Sequence, residues 1–464
     1  MQKVIIMAAG EGTRMKSKTS KVLHKILNKE IISYVYEASK LDNSETIIIG
    51  GKNTEKLKEM FDGVRVLEQQ IGPDIPYGTG YAVGLARDYI EDEDSVLVLN
   101  GDIPLINKDA LEDFVNFHIK EQASVSVLST TVEDPTNYGR IIRDKSGSFV
   151  GIVEHRDLDK DELYINEINT GIYIFNGKDL KRALDRLDSN NDQNELYLTD
   201  CIKILADDGK ETKAYVNNDP SLFYGINNKK ELAEASSILR KKINESYMND
   251  GVIIETPEIV SIEPGVRIGK DTYISGNVYI SGETIIGEDC TILGSTRIES
   301  SKIGNEVKID NSIIESSTMD DYSDIGPYSH LRPKANIGKS VHIGNFVEVK
   351  NASLGEGTKA GHLAYIGDSD LGKNINIGCG VIFVNYDGKF KHRSKVGDNA
   401  FVGSNSNIIA PVTLADRAYI AAGSTITRDV DEGELSIERA EQKNIKGYSD
   451  KKKKRDEEKL REKK

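Results

Sequence analysis

In the second half of the chain an aliphatic residue recurs at every sixth position, with mostly polar residues between. Neither an amphipathic helix, with a period of about 3.6 residues, nor a plain strand, with a period of about two, produces this spacing. Six residues fit one flat side of a parallel β-helix, in which a short strand is followed by a tight corner. The aliphatic side chains would then stack into one continuous core. The two longest runs are Ile262, Ile268, Ile274, Ile280, Ile286, Ile292 and Ile298, then Val396, Val402, Ile408, Leu414, Ile420 and Ile426.

The six-residue spacing slips in two places, at residues 354–366 and 384–395. An insertion has to leave the prism, so we predict a loop at each place. Both segments concentrate polar and aromatic residues, and functional groups favour loops on rigid scaffolds. These two interruptions of the repeat therefore predict the position of the functional site of the β-helix.

Before residue 230 the pattern changes to short apolar runs that alternate with amphipathic stretches. This alternation predicts an α/β domain with a mostly parallel sheet that is covered on both faces. Ligands of such sheets bind beyond the carboxyl ends of the strands. A polar segment rich in Ala, Leu, Lys and Glu, residues 227–249, predicts a helix that leads into the β-helix. The predicted strands are residues 4–7, 46–49, 95–99, 125–128 and 172–175, and predicted helices include residues 21–40 and 110–121.

The first predicted strand is followed by the stretch GEGTRMKSKTSK, which starts at Gly10. It matches neither a Walker A loop nor G-x-G-x-x-G, because Met15 occupies the third glycine position. Gly10 and Gly12 still allow close backbone approach, and Arg14 and Lys21 add positive charge to an anion-binding concavity of amides. A glycine turn with solvated lysines is the alternative interpretation of this pattern taken alone.

Composition narrows the class of protein. The net charge of −14 argues against nucleic acid as the main partner. No apolar run approaches the roughly 20 residues of a membrane-spanning helix, so we expect no membrane partner. The three scattered cysteines favour a reducing cytoplasm. Residues 451–464 hold nine basic and four acidic residues without an apolar face, which predicts a solvated, disordered tail.

The segment MAAGEGTRMKSKTSKVLHKI resembles the signature of the sugar-phosphate nucleotidylyltransferases. The resemblance implies that the loop wraps the nucleotide and that Arg14 and Lys21 face its phosphates. It also implies that Asp102, in LVLNGDIPL, and Asn227, in YGINNK, hold Mg²⁺. In the stretch QQIGPDIPYGTG the implied glutamine is either Gln69 or Gln70, and we choose Gln70. The remaining positions of the implied nucleotide and sugar site are Ala8, Ala9, Gly10, Gly78, Thr79, Gly139, Glu154, Asn169 and Asn227.

The hexapeptide pattern resembles the left-handed β-helix of the hexapeptide-repeat acyltransferases, which implies a homotrimer. Across essentially the whole chain, the sequence resembles one bacterial family of bifunctional N-acetylglucosamine-1-phosphate uridylyltransferases and glucosamine-1-phosphate N-acetyltransferases. The segments that carry this resemblance are LRPKANIG, NFVEVKNA, KAGHLAYIGD, NIGCG, NYDG and AAGSTITRDV.

That family resemblance implies two reactions that together make UDP-N-acetylglucosamine for cell-wall synthesis. Acetyl transfer from acetyl-CoA to glucosamine 1-phosphate would come first. Uridylyl transfer from UTP to N-acetylglucosamine 1-phosphate, with release of pyrophosphate, would follow.

The resemblance also implies roles for residues of the second half. His362 matches the general base, a role that suits an imidazole because it titrates near neutral pH. Cys379 stands where alanine is usual near the acetyl-CoA pocket. The implied sugar-phosphate contacts are Arg332, Lys350, Tyr365 and Asn376. The implied acetyl-CoA and acceptor contacts, partly across a subunit boundary, are Cys379, Asn385, Tyr386, Ser404, Ala422 and Arg439.

We therefore predict four segments, and two competing functions stay open at this point. One is a monofunctional sugar-phosphate nucleotidylyltransferase with a purely structural β-helix. The other is a non-catalytic regulatory or assembly subunit, although Lys21, Asp102, Asn227 and His362 speak against it. The predicted segments are a nucleotidylyltransferase domain (1–226), a linker helix (227–250), an acetyltransferase β-helix (251–430) and a C-terminal segment with the basic tail (431–464).

Overall fold

The computed structural model describes residues 1–72, 75–189 and 195–462. The chain divides into two compact units, Met1–Lys242 and Ile243–Lys464. Within the described ranges, we find no helix with the length and apolar character that crossing a membrane requires.

The first unit is an α/β domain. Its strands are β1 Gln2–Ala8, β2 Lys25–Ile26, β3 Lys29–Glu30, β4 Ser44–Gly50, β5 Arg65–Glu68, β6 Ser95–Asn100, β7 Val125–Thr131, β8 Arg140–Arg143, β9 Phe149–Val153, β10 Glu167–Asn176 and β11 Thr212–Asn217. Its helices are α1 Ile31–Ala38, α2 Thr54–Met60, α3 Thr79–Gly84, α4 Lys108–Glu121, α5 Gly177–Leu184, α6 Leu198–Asp207 and the first part of α7 Lys229–Asn249.

The main sheet of this unit has the strand order β11-β7-β10-β6-β1-β4-β5. The central strand β1 pairs in parallel with β4 and β6, whereas β10 runs antiparallel to β6 and β7. Val4 and Ile6 pack into one core cluster and Ile5 into another, so β1 is covered on both faces. The prediction of a mostly parallel, doubly covered sheet is confirmed. The carboxyl ends of β1 and β6 meet at one edge, where a ligand is expected.

The prediction of one helix over residues 21–40 was wrong. That stretch begins with a 3-10 turn, Lys21–Leu23, continues through the hairpin of β2 and β3, and becomes helical only at Ile31. Leu27 and Asn28 at the hairpin turn have positive φ angles of 44° and 63°, which no continuous α-helix contains. The break holds Lys21 in a tight turn beside the carboxyl end of β1.

The second unit is a left-handed parallel β-helix. Each short strand pairs in parallel with the strand one coil later, and the aliphatic residue of each repeat points inward. One column of strands is Ile253–Ile254, Tyr273–Ser275, Thr291–Leu293, Lys308–Asp310, Asp324–Ile325, Asn376–Ile377, Phe401–Val402, Tyr419–Ile420 and Leu435–Ser436. The next is Ser261–Ile262, Tyr279–Ser281, Arg297–Glu299, Ile313–Glu315, His330–Arg332, Ile382–Val384, Asn407–Ile409 and Thr425–Ile426. Two longer strands, His342–Lys350 and Lys359–Gly367, run through both columns. The third column of strands is Arg267–Ile268, Ile285–Ile286, Lys302–Ile303, Thr318–Met319, Asn336–Ile337, Ser353–Leu354, Ser369–Leu371, Ser394–Val396 and Thr413–Leu414.

Of the two predicted interruptions of the β-helix, only the second is a loop. Residues 385–393 leave the prism and are closed by a bridge between Tyr386 and Lys391. The first prediction was wrong, because Lys359–Gly367 is a regular strand. There the spacing slips because the corner before Leu354 is one residue shorter, while Ala360 occupies the next inward position. His362 therefore lies on a strand of the prism and not on a loop.

Two helices belong to the ends of the second unit. Helix α7 continues past the boundary of the first unit to Asn249, where Ile243, Tyr247 and Met248 pack against the β-helix core. The predicted disordered tail is instead a helix, α8 Tyr448–Glu462, in which every described residue is exposed. Its Lys, Arg, Glu and Leu residues are good helix formers, so their intrinsic propensity favours a helix even though no face of it is buried. Residues 463 and 464 lie outside the described residues.

Candidate active sites

The first unit holds a cavity of about 320 Å³ at the carboxyl ends of β1 and β6. Seven predicted site residues line it together: Ala8, Ala9, Gly10, Lys21, Gly78, Thr79 and Asp102. They come from four separate parts of the sequence, and the sheet edge brings them to one place. The cavity therefore coincides with the predicted nucleotide site.

Two glycines of this site are required by its geometry. Gly12 has a φ of 59°, and a Cβ atom there would lie 2.7 Å from Cβ of Lys21. Gly78 has a φ of 118°, and a Cβ atom there would lie 2.4 Å from the carbonyl oxygen of Leu196. By contrast, a Cβ atom at Gly10 would meet nothing within 4 Å. The loop thus needs its second glycine, Gly12, so that its backbone can approach Lys21.

Four polar side chains meet at the rim of the cavity. The ammonium of Lys21 contacts Oδ2 of Asp102, and its Nζ lies 3.4 Å from Oδ1 of Asn227. Arg14 donates from Nη2 to the same Oδ1 at 2.9 Å. The Lys21 and Asp102 side chains are only 15% and 19% exposed, so water screens their attraction incompletely. The result is a cationic pair, Arg14 and Lys21, beside one carboxylate and one amide oxygen.

The backbone fixes the two oxygen donors of that group relative to each other. Ile226 donates its N–H to the carbonyl of Asp102 at 3.0 Å. Asn227 donates its N–H to Oε2 of Glu231 at 2.6 Å. The first bond holds the segment before α7 against the end of β6, and the second ties Asn227 to the first turn of α7. Residues about 125 positions apart in the sequence are thereby locked side by side.

The structure distinguishes the two neighbouring glutamines, and it favours Gln69 over the predicted Gln70 as a residue of the cavity. Gln69 lines the cavity and is 5% exposed, whereas Gln70 is exposed and lies outside the cavity lining. The N–H of Gln69 donates to the carbonyl of Gly50 at 2.7 Å, which continues the pairing of β5 with β4 and turns this side chain inward. Pro73 and Asp74, which lie between these glutamines and Gly78, are outside the described residues.

Three further predicted residues, Gly139, Glu154 and Asn169, form a neighbouring cluster. The N–H of Asn169 donates to the carbonyl of Gly139 at 2.9 Å, and a Cβ atom on Gly139 would lie 3.4 Å from Oε2 of Glu154. Burial, with the charges of Asp157 and Asp200, raises the pKa of Glu154 above its usual range. The Asn169 amide donates to the Tyr173 hydroxyl at 2.8 Å. The structure thus brings together three segments that are distant in sequence.

In the second unit, the predicted base His362 contacts a residue that the sequence analysis did not select. Nδ1 of His362 lies 3.1 Å from Oδ1 of Asn345, which occupies the matching position one coil earlier. An amide oxygen only accepts, so Nδ1 carries the hydrogen and the lone pair is on Nε2. Asn345 could have been found from the sequence by counting back one coil from His362, because the two residues are 17 positions apart.

His362 belongs to a column of corner residues that includes three predicted acetyl-CoA contacts. Asn405 donates its N–H to the carbonyl of Cys379 at 2.7 Å, and Gly423 donates to the carbonyl of Ser404 at 2.8 Å. Arg439 donates from Nη1 to the carbonyl of Ala422 at 2.5 Å. At about 4.8 Å per coil, the column from His362 to Ala422 is about 14 Å long. The structure thus aligns Cys379, Ser404 and Ala422 with His362, in the coils that follow it, and the Arg439 side chain bonds to the last of them.

The predicted sugar-phosphate residues lie on an adjoining face. Arg332 is in register with Lys350 and pairs with Glu348 at 2.8 Å. The nearby Lys391, and then Arg332, lower the pKa of Lys350 below its usual range. Lys391 was not selected from the sequence, and it lies in the loop that does leave the prism. Three cations converge here, which suits a phosphate group.

Two predicted residues of the NYDG segment have different environments. Asn385 is 8% exposed and donates to the Tyr365 hydroxyl at 3.3 Å, whereas Tyr386 is exposed and donates to the carbonyl of Gly388 at 2.7 Å. Asn376 is in register with Lys359 in the first column of strands, whereas Lys350 and Tyr365 lie in the second column. Within the described ranges, no side-chain hydrogen bond joins Asn376 to His362 or Tyr365. The structure therefore does not bring Asn376 together with the other sugar-phosphate residues of the same chain.

Comparison with known proteins matches both units. Residues 3–241 match the family model described as nucleotidyl transferase, and residues 393–428 match bacterial transferase hexapeptide (six repeats). A relative named Bifunctional protein GlmU, from Clostridioides difficile (strain 630), is 47% identical over 455 residues, covering 98% of both chains. Proteins of the same name from Listeria innocua serovar 6a and Thermoanaerobacter pseudethanolicus are 46% and 45% identical. These two alignments cover 96% of this chain and 97% and 96% of the relatives.

Proposed function

The chain belongs to the family of bifunctional GlmU proteins, and on that premise we propose that its two reactions use two separate groups of residues. It is a uridylyltransferase and an acetyltransferase, and the substrates of these reactions are sugar phosphates, UTP and acetyl-CoA. Family membership decides against a monofunctional enzyme with an inert β-helix and against a non-catalytic subunit. The first unit carries uridylyl transfer and the β-helix carries acetyl transfer.

We assign uridylyl transfer to the 320 Å³ cavity. An oxygen of N-acetylglucosamine 1-phosphate attacks the α-phosphorus of UTP, a new P–O bond forms, and pyrophosphate leaves with the electrons of the broken bond. This chemistry depends on positioning and charge neutralisation, not on a protein nucleophile. Lys21 and Arg14 supply positive charge at the cavity rim, and Gln69, Gly78 and Thr79 line the side that would receive the base.

We propose that Asp102 and Asn227 hold Mg²⁺ at this rim. The fit is supported by the Lys21 ammonium, a cation that already lies between the carboxylate and amide oxygens of these two residues. Oxygen donors are what Mg²⁺ prefers, with water and phosphate oxygens completing its shell. When bound, the ion neutralises charge on the phosphate oxygens. Asp102 and Asn227 would hold the ion, and Arg14, which donates to Oδ1 of Asn227, fixes the direction of that amide.

We assign acetyl transfer to the column of His362 and the cationic face beside it. Nε2 of His362 takes a proton from the sugar amine as the amine nitrogen attacks the thioester carbonyl carbon. A C–N bond forms, the C–S bond breaks, and the proton on His362 is returned to the departing sulfur of CoA. Arg332, Lys350 and Lys391 hold the sugar phosphate, and Cys379, Ser404, Ala422 and Arg439 line the path of acetyl-CoA. The observation that carries this assignment is the alignment of Cys379, Ser404 and Ala422 with His362, together with the bond from Arg439 to Ala422.

We further propose that the protein is a homotrimer and that it works in the cytoplasm. Beside the His362 column runs an apolar stripe of Tyr328, Phe346 and Leu363, each more than half exposed. The Tyr328 and Phe346 rings stack with centroids 5.8 Å apart. Such a stripe next to a site suits burial against another copy of the chain. All three cysteines are free, which favours a reducing compartment.

One experiment with two assays tests the division of function. Purified protein is given glucosamine 1-phosphate and acetyl-CoA to measure release of free thiol, then UTP and N-acetylglucosamine 1-phosphate to measure release of pyrophosphate. We expect His362→Ala to abolish thiol release and to leave pyrophosphate release intact, and Lys21→Ala to do the opposite. Loss of both activities in either variant, while the protein remains folded and of unchanged oligomeric state, would contradict the division.

Chelation and sedimentation test the remaining proposals. Removal of divalent ions should stop pyrophosphate release and leave thiol release unchanged. Sedimentation equilibrium should give three times the 51.3 kDa chain mass. Replacing Phe346 with Ser should reduce the mass of the assembly, whereas a monomeric wild type would refute the trimer.

A further inference from the structure

Next to Tyr365, the β-helix buries a carboxylate for which the mechanism above has no use. Asp368 is 8% exposed. Its Oδ1 accepts a hydrogen bond from Nδ2 of Asn351 at 2.5 Å, and its Oδ2 accepts one from Nδ2 of Asn385 at 2.5 Å. The three residues are spaced by 17 positions, so they stack on consecutive coils. A buried acid thus joins two amides, one of which, Asn385, belongs to the predicted acceptor site.

The backbone holds Asp368 rigidly. Its N–H donates to the carbonyl of Lys350 at 3.0 Å, and its carbonyl accepts from the N–H of Ser394 at 3.1 Å. The same residue is therefore tied to Lys350, which contacts the sugar phosphate, and to the end of the NYDG loop. Its carboxylate is therefore held in a fixed position between Lys350 and the end of the NYDG loop.

Asp368 determines which way the Asn385 amide faces. Nδ2 of Asn385 donates both to Asp368 and to the Tyr365 hydroxyl, which lies 3.3 Å away. Because a carboxylate only accepts, the amide nitrogen must point toward Asp368, and the amide oxygen points the other way. In the described part of the chain, Oδ1 of Asn385 has no hydrogen-bond donor, and it is not closed off from solvent. It is an oriented acceptor without a partner.

We propose that Asp368 is a positioning residue for acetyl transfer, and that it turns Oδ1 of Asn385 toward the amine of the sugar substrate. This inference rests on the proposed acetyl site. An amide oxygen accepts one N–H of the amine and leaves the nitrogen lone pair directed at the thioester. A reversed amide would donate to that lone pair, which is the pair that must attack. Asp368 therefore favours the reactive arrangement of the amine without touching the substrate.

A charge swap between the two positions tests the proposal. Asp368→Asn leaves the Asn385 amide free to reverse, and Asn385→Asp places two carboxylates in contact. In the double variant, the amide at position 368 donates to the carboxylate at position 385, whose other oxygen again faces the amine. The matched control is Asp370→Asn, two positions away, because that carboxylate binds Arg393 at 2.7 Å instead.

The measured quantity is thiol release with glucosamine 1-phosphate, with KM determined separately for the sugar and for acetyl-CoA. For Asp368→Asn we expect kcat/KM for the sugar to fall about 10- to 100-fold, which is the scale of one or two lost polar contacts, while KM for acetyl-CoA changes less than about twofold. The double variant should recover about tenfold or more over Asp368→Asn, and Asp370→Asn should stay within about threefold of wild type.

Two results would overturn the proposal: full activity of Asp368→Asn, or a double variant no better than either single variant. If Asp368→Asn does not fold, the double variant is compared with Asn385→Asp, and a double variant whose kcat/KM for the sugar does not exceed that of Asn385→Asp still overturns the proposal. Absence of thiol release from the wild type would instead refute the assignment of the acetyl site, and this inference with it.

Discussion

The imidazole of His362 and the amide of Asn345 face each other across adjacent coils, with Nδ1 and Oδ1 3.1 Å apart. This contact selects the tautomer in which Nε2 is the basic nitrogen, and it also fixes the ring plane. A general base needs both properties before it can accept a proton from a bound amine.

Removing that contact should impair acetyl transfer mainly through kcat. Asn345→Leu keeps the volume and removes the acceptor, so we expect kcat to fall about 10- to 100-fold with little change in KM. Asn345→Asp keeps an acceptor and adds a negative charge, which favours the protonated imidazole. The aspartate variant should retain more activity than the leucine variant. Its acidic limb in the pH profile of kcat should shift to higher pH. Identical profiles for the two variants would contradict the orienting role.

The neighbouring glutamines provide a matched pair for the uridylyl site. Gln69 lines the cavity and Gln70 does not. Gln69→Ala should raise KM for UTP about tenfold, since one hydrogen bond in a partly closed site is worth about 1.5 kcal/mol. Gln70→Ala should change KM less than about twofold. Steady-state pyrophosphate release measures both, and a larger effect at Gln70 would show that Gln70, and not Gln69, contacts UTP.

Thiol reagents should separate the two activities. Cys379 is exposed in the His362 column, whereas Cys201 and Cys290 are buried. Burial raises the pKa of Cys201 to about 12 and raises that of Cys290, which makes both poor nucleophiles. A bulky maleimide should therefore block thiol release from acetyl-CoA and spare pyrophosphate release.

Cys379→Ala is the control for that experiment, because it should remain active and become insensitive to the reagent. Acetyl transfer must be followed by a method that the maleimide does not disturb, such as mass spectrometry of the acetylated sugar. Equal loss of both activities, or of neither, would show that Cys379 does not lie on the acetyl-CoA path.

The stability of the first unit should fall in mild acid because of one buried histidine. His118 is 6% exposed, lies 2.9 Å from Oγ of Ser126, and burial lowers its pKa to about 4. Between pH 6.5 and 4 the unfolded chain binds a proton that the folded chain does not, so the free energy of unfolding decreases as the pH falls. The full difference is about 3 kcal/mol at pH 4, and none of it is present above about pH 6.5.

Denaturant unfolding of wild type and His118→Gln at several pH values measures this contribution. The wild-type curve should decline toward pH 4 more steeply than the variant curve, by up to the stated amount. Parallel curves would mean that His118 is protonated equally in both states.

Much of the fold could be predicted from the sequence because it follows local patterns. The six-residue period sets which side chains enter the prism core, from Ile262 to Ile426, and each coil repeats the same choice. In the first unit, short apolar runs such as residues 4–7, followed by glycines, predict strands buried on both faces. The position of the Arg14–Lys21 loop after β1 then follows from the topology of parallel sheets.

Only the tertiary structure decided the finer arrangement of both sites. Gln69 and Gln70 are adjacent residues of the same type, so the sequence does not distinguish them. The pairing of β5 with β4 determines which one turns inward. The break that prevents a helix over residues 21–40 arises from the hairpin of β2 and β3, which no period predicts.

Asn345 meets His362, and Asp368 meets Asn385, because two short corners reduce these coils to 17 residues. Sequence by itself therefore determined the scaffold and most of the chemical groups on it, since burial depends on patterns that repeat locally. The partners of those groups depend on register between coils and on the tilt of single turns. Register and tilt are set by contacts between distant residues, so only the folded chain could reveal them.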